Sequence, residues 1–302
     1  MGASRDPHVV VIGAGGQLGR ELCQQLGERA RGVDVDTFDL TDPAIVASRL
    51  ERWRPRAVVN CAAYTQVDRA ESEPQAARAV NAEGVGHLVE VCRRLDCPLA
   101  QVSTDYVFAG SAPRGRPWRE DDPPSPLGVY AATKYEGEQF AAAAPKHWII
   151  RTCGLYARPS DRAARNFVRT MLRLAAEGRD LGVVADQHCT PTYVPHLARA
   201  IVFLLGGADR PAAPWGLYHV TNTGETTWYE FAVALLRLAG FDAPVRRLTT
   251  AEYGAPAPRP AYSVLDTSKY HGLGGPAMPH WKAALEEFFA EAPPEVGRCA
   301  GT

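Results

Sequence analysis

His8-Val-Val-Val-Ile12, Gly13-Ala-Gly-Gly-Gln-Leu-Gly19 and Arg20-Glu-Leu-Cys-Gln-Gln-Leu26 run together without a break. The first segment is a short apolar run, the second a glycine cluster, and the third carries apolar residues at helical period. In order they predict a buried strand, a tight turn and a helix. Gly13, Gly16 and Gly19, with Gly15 between them, let backbone approach a pyrophosphate, whose charge is stabilised at the N-terminus of the following helix. A tight strand-to-helix turn without a ligand is the plainer alternative. The phosphate reading is favoured because the cluster closes a strand and opens a helix. An acidic residue about 20 positions on would then read a ribose. Asp34 and Asp36 are the candidates, and Asp39-Leu40 opens the next turn, within reach of an adenine edge. No arginine flanks Asp36, which leans towards NAD, while Arg20 and Arg31 are available to neutralise a 2′-phosphate.

The same alternation continues along the chain. Val33 to Phe38 reads as a second strand and Pro43 to Trp53 as a helix with Asp42 as its N-cap. Ala57 to Ala63 is a third buried strand, followed by a helix from about Pro74 to Leu95. Pro98 to Val102 is a fourth strand, ending at Ser103-Thr104-Asp105. A Pro- and Gly-rich loop from Ala109 to Leu127 leads to the helix carrying Tyr130 and Lys134, and Trp148 to Thr152 is another strand. Strands alternating with helices imply an α/β fold, a doubly wound Rossmann-type parallel sheet covered on both faces. Ligands bind such sheets at the carboxyl ends of the strands, where Gly13, Ala62, Thr104 and Cys153 fall. After about residue 155 the regularity drops. A smaller C-terminal α/β lobe is expected there, with 1–155 and about 193–222 forming the nucleotide-binding domain and 156–192 with 223–302 the substrate lobe.

Composition narrows the class. A chain of 302 residues can bury a large core, and a formal net charge of −1 gives no field for nucleic acid or membrane. No run approaches a membrane span, and the N-terminal residues Met1 to His8 lack a signal-peptide core. The seven scattered cysteines suit reduced thiols, so the cytoplasm is the expected location. No histidine cluster has metal-ligand spacing.

Tyr130 and Lys134 stand four residues apart in a chain with only four lysines against 29 arginines. At that composition a chance Tyr-x-x-x-Lys is expected roughly 0.15 times. On a helix the spacing puts phenol and ammonium on one face. There the ammonium would lower the tyrosine pKa, as a general acid or base near neutrality requires. A plain helix-surface pair is the alternative. Thr104, a hydroxyl at the end of a buried strand, is placed to hydrogen-bond a substrate carbonyl, although strand-end threonines are more often structural. Arg162, Arg165, Arg169 and Arg173 share a helical face. They form either a solvated stripe or a diphosphate clamp.

Together these segments resemble the extended short-chain dehydrogenase/reductases, most nearly the dTDP-4-dehydrorhamnose reductase family, over almost the whole chain. The similarity is carried by Gly13 to Glu21, Asn60-Cys-Ala-Ala-Tyr-Thr-Gln-Val-Asp-Arg-Ala-Glu-Ser-Glu-Pro74 and Ser103-Thr-Asp-Tyr-Val-Phe108. The Tyr130/Lys134 dyad, Asp186-Gln187, Pro191-Thr192, Arg259-Pro260 and Ser263-Val-Leu-Asp-Thr267 extend it. The resemblance implies reduction, with NADPH or NADH, of the C4 carbonyl of a nucleotide-linked 4-keto-6-deoxy sugar. Tyr130 would protonate the oxygen, Thr104 would hold it, and Lys134 would bind the nicotinamide ribose and tune Tyr130. Cofactor contacts are implied at Gly13, Gly15, Gly16, Gln17, Leu18, Gly19, Asp34, Asp39, Leu40, Cys61, Ala62, Ala63, Tyr64 and Cys153. Substrate contacts are implied at Ser103, Asp105, Tyr106, Gly154, Asn166, Phe167, Gln187 and Arg259.

Two positions depart from the family. Gly154 stands where many members carry a tryptophan beside the sugar, leaving space for another residue or a differently shaped substrate. Pro195 stands where some carry a glutamate of an intersubunit magnesium site built with residues such as Glu21 and Glu286, so Mg²⁺ is not expected. A homodimer is left open. So are a reductase of another deoxysugar and a non-catalytic dinucleotide-binding subunit resembling the regulatory subunit of methionine adenosyltransferase.

Overall fold

The structure, a computed structural model, describes residues 6–112, 115–206 and 211–291. Most of the N-terminal segment read above, and positions 113–114 of the loop before Tyr130, lie outside these residues. Five strands in chain order, β1 (Asp6–Ile12), β2 (Ala30–Val33), β3 (Pro55–Asn60), β4 (Leu99–Thr104) and β5 (His147–Thr152), join a later strand, Gly216–His219. They form one six-stranded sheet in the order Gly216–His219, β5, β4, β3, β1, β2, with every pairing parallel. The chain leaves β1 to one side to make β2 and returns to the other side to make β3. The strand order therefore reverses between β1 and β3, the position at which open parallel sheets bind nucleotides.

The sheet's strands read as unbroken apolar runs because both faces are covered. On one face Val9, Val11, Val59 and Ile150 pack with Leu22, Leu197 and Ile201. On the other, Val10, Ile12, Val58 and Leu99 pack with Val46, Leu50, Leu88 and Val91. A further core, including Met171, Phe231, Leu235, Trp281 and Phe288, forms apart from these two. Short strand pairs outside the large sheet include Leu181–Val184 with Val245–Leu248 and His188–Cys189 with Thr226–Thr227. No helix among the described residues is long and apolar enough to cross a membrane.

Three elements differ from the expectations. The second strand ends at Val33 rather than beginning there. Asp34 turns the chain, because its carboxylate accepts from the Val35 amide at 2.8 Å and its carbonyl from Thr37 and Phe38. The long helix after residue 74 is interrupted by a π-helical turn, Ala79–Glu83, between Pro74–Arg78 and Gly84–Arg94. That turn aims Asn81 at the Tyr64 amide, 2.9 Å, and at Thr133, 3.1 Å. The arginine stripe is not one helical face either. Asn166 is extended and caps a helix that begins only at Phe167, so Arg162 and Arg165 lie in the preceding loop.

Candidate active site

A cleft of about 760 Å³ opens along the carboxyl ends of β1, β3 and β4. Its near wall is the glycine turn. A β-carbon added at Gly19 would lie 2.1 Å from the Gly13 carbonyl oxygen, so only bare backbone permits this approach. Gly13, Gly15, Gly16, Gln17, Leu18 and Gly19 all line the cleft. So do Asp34, Asp39, Leu40, Cys61, Ala62, Ala63 and Tyr64. The Asp34 carboxylate closes the far end, accepting from the Gly15 amide at 2.6 Å. The cradle left by these glycines, at the start of the helix Gln17–Leu26 and bounded by an acid at the end of β2, fits a dinucleotide.

The floor carries the reactive hydroxyls. Thr104 ends β4, and Tyr130 and Lys134 come from the helix Val129–Ala142, one turn apart. All three line the cleft. Thr104 Oγ1 donates to the Asp105 carboxylate at 3.1 Å, and Tyr106 packs edge-on against Tyr130 with ring centroids 5.4 Å apart. The Lys134 ammonium is buried and donates to the Val102 carbonyl at 2.7 Å.

The expectation that Lys134 lowers the Tyr130 pKa is not met in this arrangement. Burial pushes the phenol up to about 12, with the neighbouring Thr104 hydroxyl acting against it. Burial also brings the ammonium down to about 8, and Lys134 is turned towards backbone rather than the phenol. Asp105 is buried as well. Desolvation raises its pKa, opposed by hydrogen bonds with Ser263, Cys153 and Thr104.

A recess of about 120 Å³ leaves the cleft at Asp105 and Tyr106, continuing past Gly154, Gln187, Trp228 and Ser263. Cys153, expected to contact the cofactor, lines this recess. Gly154 has a φ of +54°, and its missing side chain does not leave open space. A β-carbon there would meet the tip of the Trp228 ring at 3.0 Å and the Pro191 backbone at 3.2 Å.

Other residues expected to contact substrate have partners within the protein. The Asn166 side chain accepts from the Arg169 amide at 3.1 Å and donates to Gln17 at 3.2 Å. Phe167 packs on Trp228, ring centroids 4.8 Å apart. Arg259 grips Asp68 through two bonds of 2.9 and 3.0 Å. The Ser103 hydroxyl is committed to Glu138 at 2.5 Å, and Gln187 donates to Thr250 at 3.0 Å while lining the recess. Of the four arginines in the stripe, Arg165 alone lines the cleft.

Trp228, Glu138 and Ser263 were not singled out as site residues from the sequence. For Trp228 a signal existed, since Thr227 and Glu230 form a capping box that fixes it at the first position of its helix.

Glu21, one of the carboxylates weighed for magnesium, is already paired. Glu21 accepts from Arg158 at 2.8 and 3.0 Å, and the same guanidinium reaches Glu291 at 2.6 Å. Glu287, the neighbour of Glu286, pairs with His196 at 2.9 Å. With an organic cation between the acids, this cluster does not fit a Mg²⁺ ion, which demands near-octahedral oxygen ligation.

A glycine-lined dinucleotide cleft at the switch point of a Rossmann sheet, with a tyrosine, a lysine and a threonine on its floor, defines an NAD(P)-dependent oxidoreductase. The chain belongs to the family described as RmlD substrate binding domain, whose model matches residues 7–293. It is 45% identical over 298 residues to a dTDP-4-dehydrorhamnose reductase of Streptomyces griseus, covering 97% of this chain and 96% of that one. It is 41% identical over 296 residues to a probable dTDP-4,6-dihydroxy-2-methyloxan-3-one 4-ketoreductase of Streptomyces antibioticus, covering 94% and 97%. The fold matches a solved dTDP-4-dehydrorhamnose reductase of Bacillus anthracis in complex with NADP. That match has a TM-score of 0.88 at 36% identity, covering 96% of this chain and 100% of that one.

Proposed function

We propose that this chain reduces the 4-keto group of a nucleotide-linked 4-keto-6-deoxy sugar, with dTDP-4-dehydrorhamnose as substrate and dTDP-L-rhamnose as product. The observation that carries the reading is the placement of two hydroxyls, Thr104 and Tyr130, on the floor of one cleft beside a buried Lys134. When bound, a reduced nicotinamide supplies a hydride. Gly13, Gly16 and Gly19 admit the pyrophosphate to backbone amides, and Asp34 and Asp39 face the adenosine end. Tyr130 gives its proton to the C4 oxygen as the carbonyl carbon takes the hydride, and the product is the C4 alcohol. Thr104 holds that oxygen by hydrogen bonding. Binding the nicotinamide ribose would draw Lys134 off the Val102 carbonyl and towards the phenol, and the ammonium beside Tyr130 would then favour the phenolate.

On this reading the described residues of 1–155 with about 193–222 hold the cofactor, and those of 156–192 with 223–302 cover the sugar nucleotide; 1–5, 113–114, 207–210 and 292–302 lie outside the described residues. The reaction takes place in the cytoplasm, and a homodimer is the assembly to test by light scattering. The test of function is direct. Purified protein is given the dTDP-linked 4-keto-6-deoxy sugar with NADH or NADPH, nicotinamide oxidation is followed, and the product is identified by NMR. Turnover to the 6-deoxy-hexose is expected. Binding of the dinucleotide without turnover would sink the reading and favour a regulatory subunit.

A second substrate reading is favoured by the 41% identity to a ketoreductase named for a different deoxysugar. A higher kcat/KM with a 2-deoxygenated 4-keto sugar would establish it.

A further inference from the structure

Beneath the cleft lies a buried polar cluster that the chemistry above does not use. Glu138 Oε1 accepts from Ser103 Oγ at 2.5 Å and from Arg151 Nε at 2.9 Å, while Oε2 accepts from Arg151 Nη2 at 2.7 Å. The side chains of this ion pair are only 5% and 3% exposed. Arg151 continues to His219 Nε2 at 3.4 Å, and His219 Nδ1 donates to the Trp118 carbonyl at 3.0 Å. Burying an ion pair so completely is weak as a source of stability, because desolvation offsets the attraction. Its placement suggests a different role. Ser103 immediately precedes Thr104 on β4, Arg151 is on β5, and Glu138 follows Lys134 by one helical turn on the same face.

We propose that Glu138 is a positioning residue: it locks the helix bearing Tyr130 and Lys134 to the strand bearing Thr104, and its carboxylate keeps the Lys134 ammonium charged. The role rests on the reading of Thr104, Tyr130 and Lys134 as reductive machinery. The groups facing the ammonium leave Glu138 as its one anionic neighbour among the described residues. Cys61, at the end of β3, is pushed by burial up to about 12 and is a neutral thiol. Tyr130, on the same helix, is a neutral phenol, and β4 offers only the Val102 carbonyl. Arg151 of β5 lies behind Glu138 as a second cation, and His219 is neutral, its pKa brought down to about 3 by burial and by Arg151. Burial lowers the Lys134 pKa, and Glu138 is the largest influence opposing it.

The test titrates Lys134 in the full-length protein by NMR of ε-¹³C-labelled lysine. With four lysines in the chain the signal is resolvable, and Lys134→Arg identifies it by its loss. Glu138→Gln preserves shape while removing the charge. The Lys134 midpoint should fall by at least ~1 pH unit, a tenfold change in the equilibrium, and the high-pH limb of kcat should move with it. An unmoved midpoint overturns the electrostatic role, even if the variant is less stable. Should the single variant not fold, Glu138→Gln with Arg151→Met removes the buried ion pair as a unit, and the Lys134 midpoint should still fall, by less than in the single variant. Ser103→Ala keeps the charge but frees β4. It should lower kcat roughly 10-fold or more through misplacement of Thr104, with the midpoint unchanged. Wild-type kcat in that variant overturns the lock. The NMR titration needs no substrate, so a wild-type protein lacking reductase activity would sink the functional reading while the charge-holding role was still judged on its own result.

Discussion

The tip of the Trp228 ring fills the space into which a side chain at Gly154 would project, 3.0 Å from the β-carbon position. With a φ of +54°, Gly154 also holds a backbone conformation that costs other L-residues about 1–2 kcal/mol. The missing tryptophan at 154 is therefore a requirement of the turn, with an aromatic from a different element already against the recess. Gly154→Trp should lower both Tm and kcat/KM. A stable variant with improved turnover would show that the ring and the turn can both move aside.

Tyr130→Phe removes the proton donor and leaves the glycine cradle untouched. A loss in kcat of about 10²–10⁴-fold is expected, with dinucleotide affinity close to that of the wild type. Fluorescence titration with NADPH beside steady-state kinetics separates the two. Wild-type turnover would take Tyr130 out of the reaction.

Arg158 predicts indifference to chelators. Since its guanidinium bridges Glu21 and Glu291, EDTA should change neither activity nor mass in solution. Arg158→Met leaves the buried Glu21 carboxylate without a cation, held only by Gln25 at 2.7 Å, and a loss of roughly 1–3 kcal/mol, seen as a fall in Tm of several degrees, is expected. Dissociation by EDTA that Mg²⁺ reverses would contradict the assignment.

His219 sets an acid limit to stability. Its pKa is about 3 when folded against an ordinary 6.5, so the unfolded chain binds the proton more readily between those values. The stability it contributes is present above pH 6.5 and is lost progressively as pH falls towards 3. Denaturant melts across that window should show a smaller acid loss for His219→Gln than for the wild type. Parallel pH curves would remove His219 from the account.

Lys134 acts in the opposite range. Its folded pKa near 8 lies below the ordinary 10.5, so the unfolded state holds the extra proton between them and stability rises as pH climbs through that interval. Activity should move the other way, since an ammonium lost above about pH 8 no longer supports Tyr130. Opposed trends in Tm and kcat are the expected signature, and parallel ones would contradict it.

The sheet was legible because its strands are continuous apolar runs punctuated by glycine and proline, and Pro43–Trp53 was read to the residue from Asp42 and Pro43. The end of β2 was misread because Val35 suits a strand, yet it is 71% exposed on a turn that the Asp34 side chain organises. The glycine turn could be read locally, since its constraints are backbone constraints between near neighbours. The partners that Asn166, Phe167 and Arg259 find, Gln17, Trp228 and Asp68, could not be read locally because they are distant in sequence. The Lys134 ammonium was expected beside the phenol from helical spacing, and the Val102 carbonyl on another element claims it instead.

The π-helical turn at Ala79–Glu83 makes the helical stretch one residue longer than its path requires. Deleting one residue there, other than Asn81, would let the stretch wind as an ordinary helix with Gly84–Arg94 in its present orientation, so Leu88 and Val91 would stay in the core. Deleting Asn81 itself would remove the side chain that meets the Tyr64 amide and Thr133. A further inserted residue would instead turn Gly84–Arg94 by about 100° against its neighbours. A library of single-codon insertions and deletions across the chain should therefore show these five positions tolerating loss better than gain, with Asn81 as the exception.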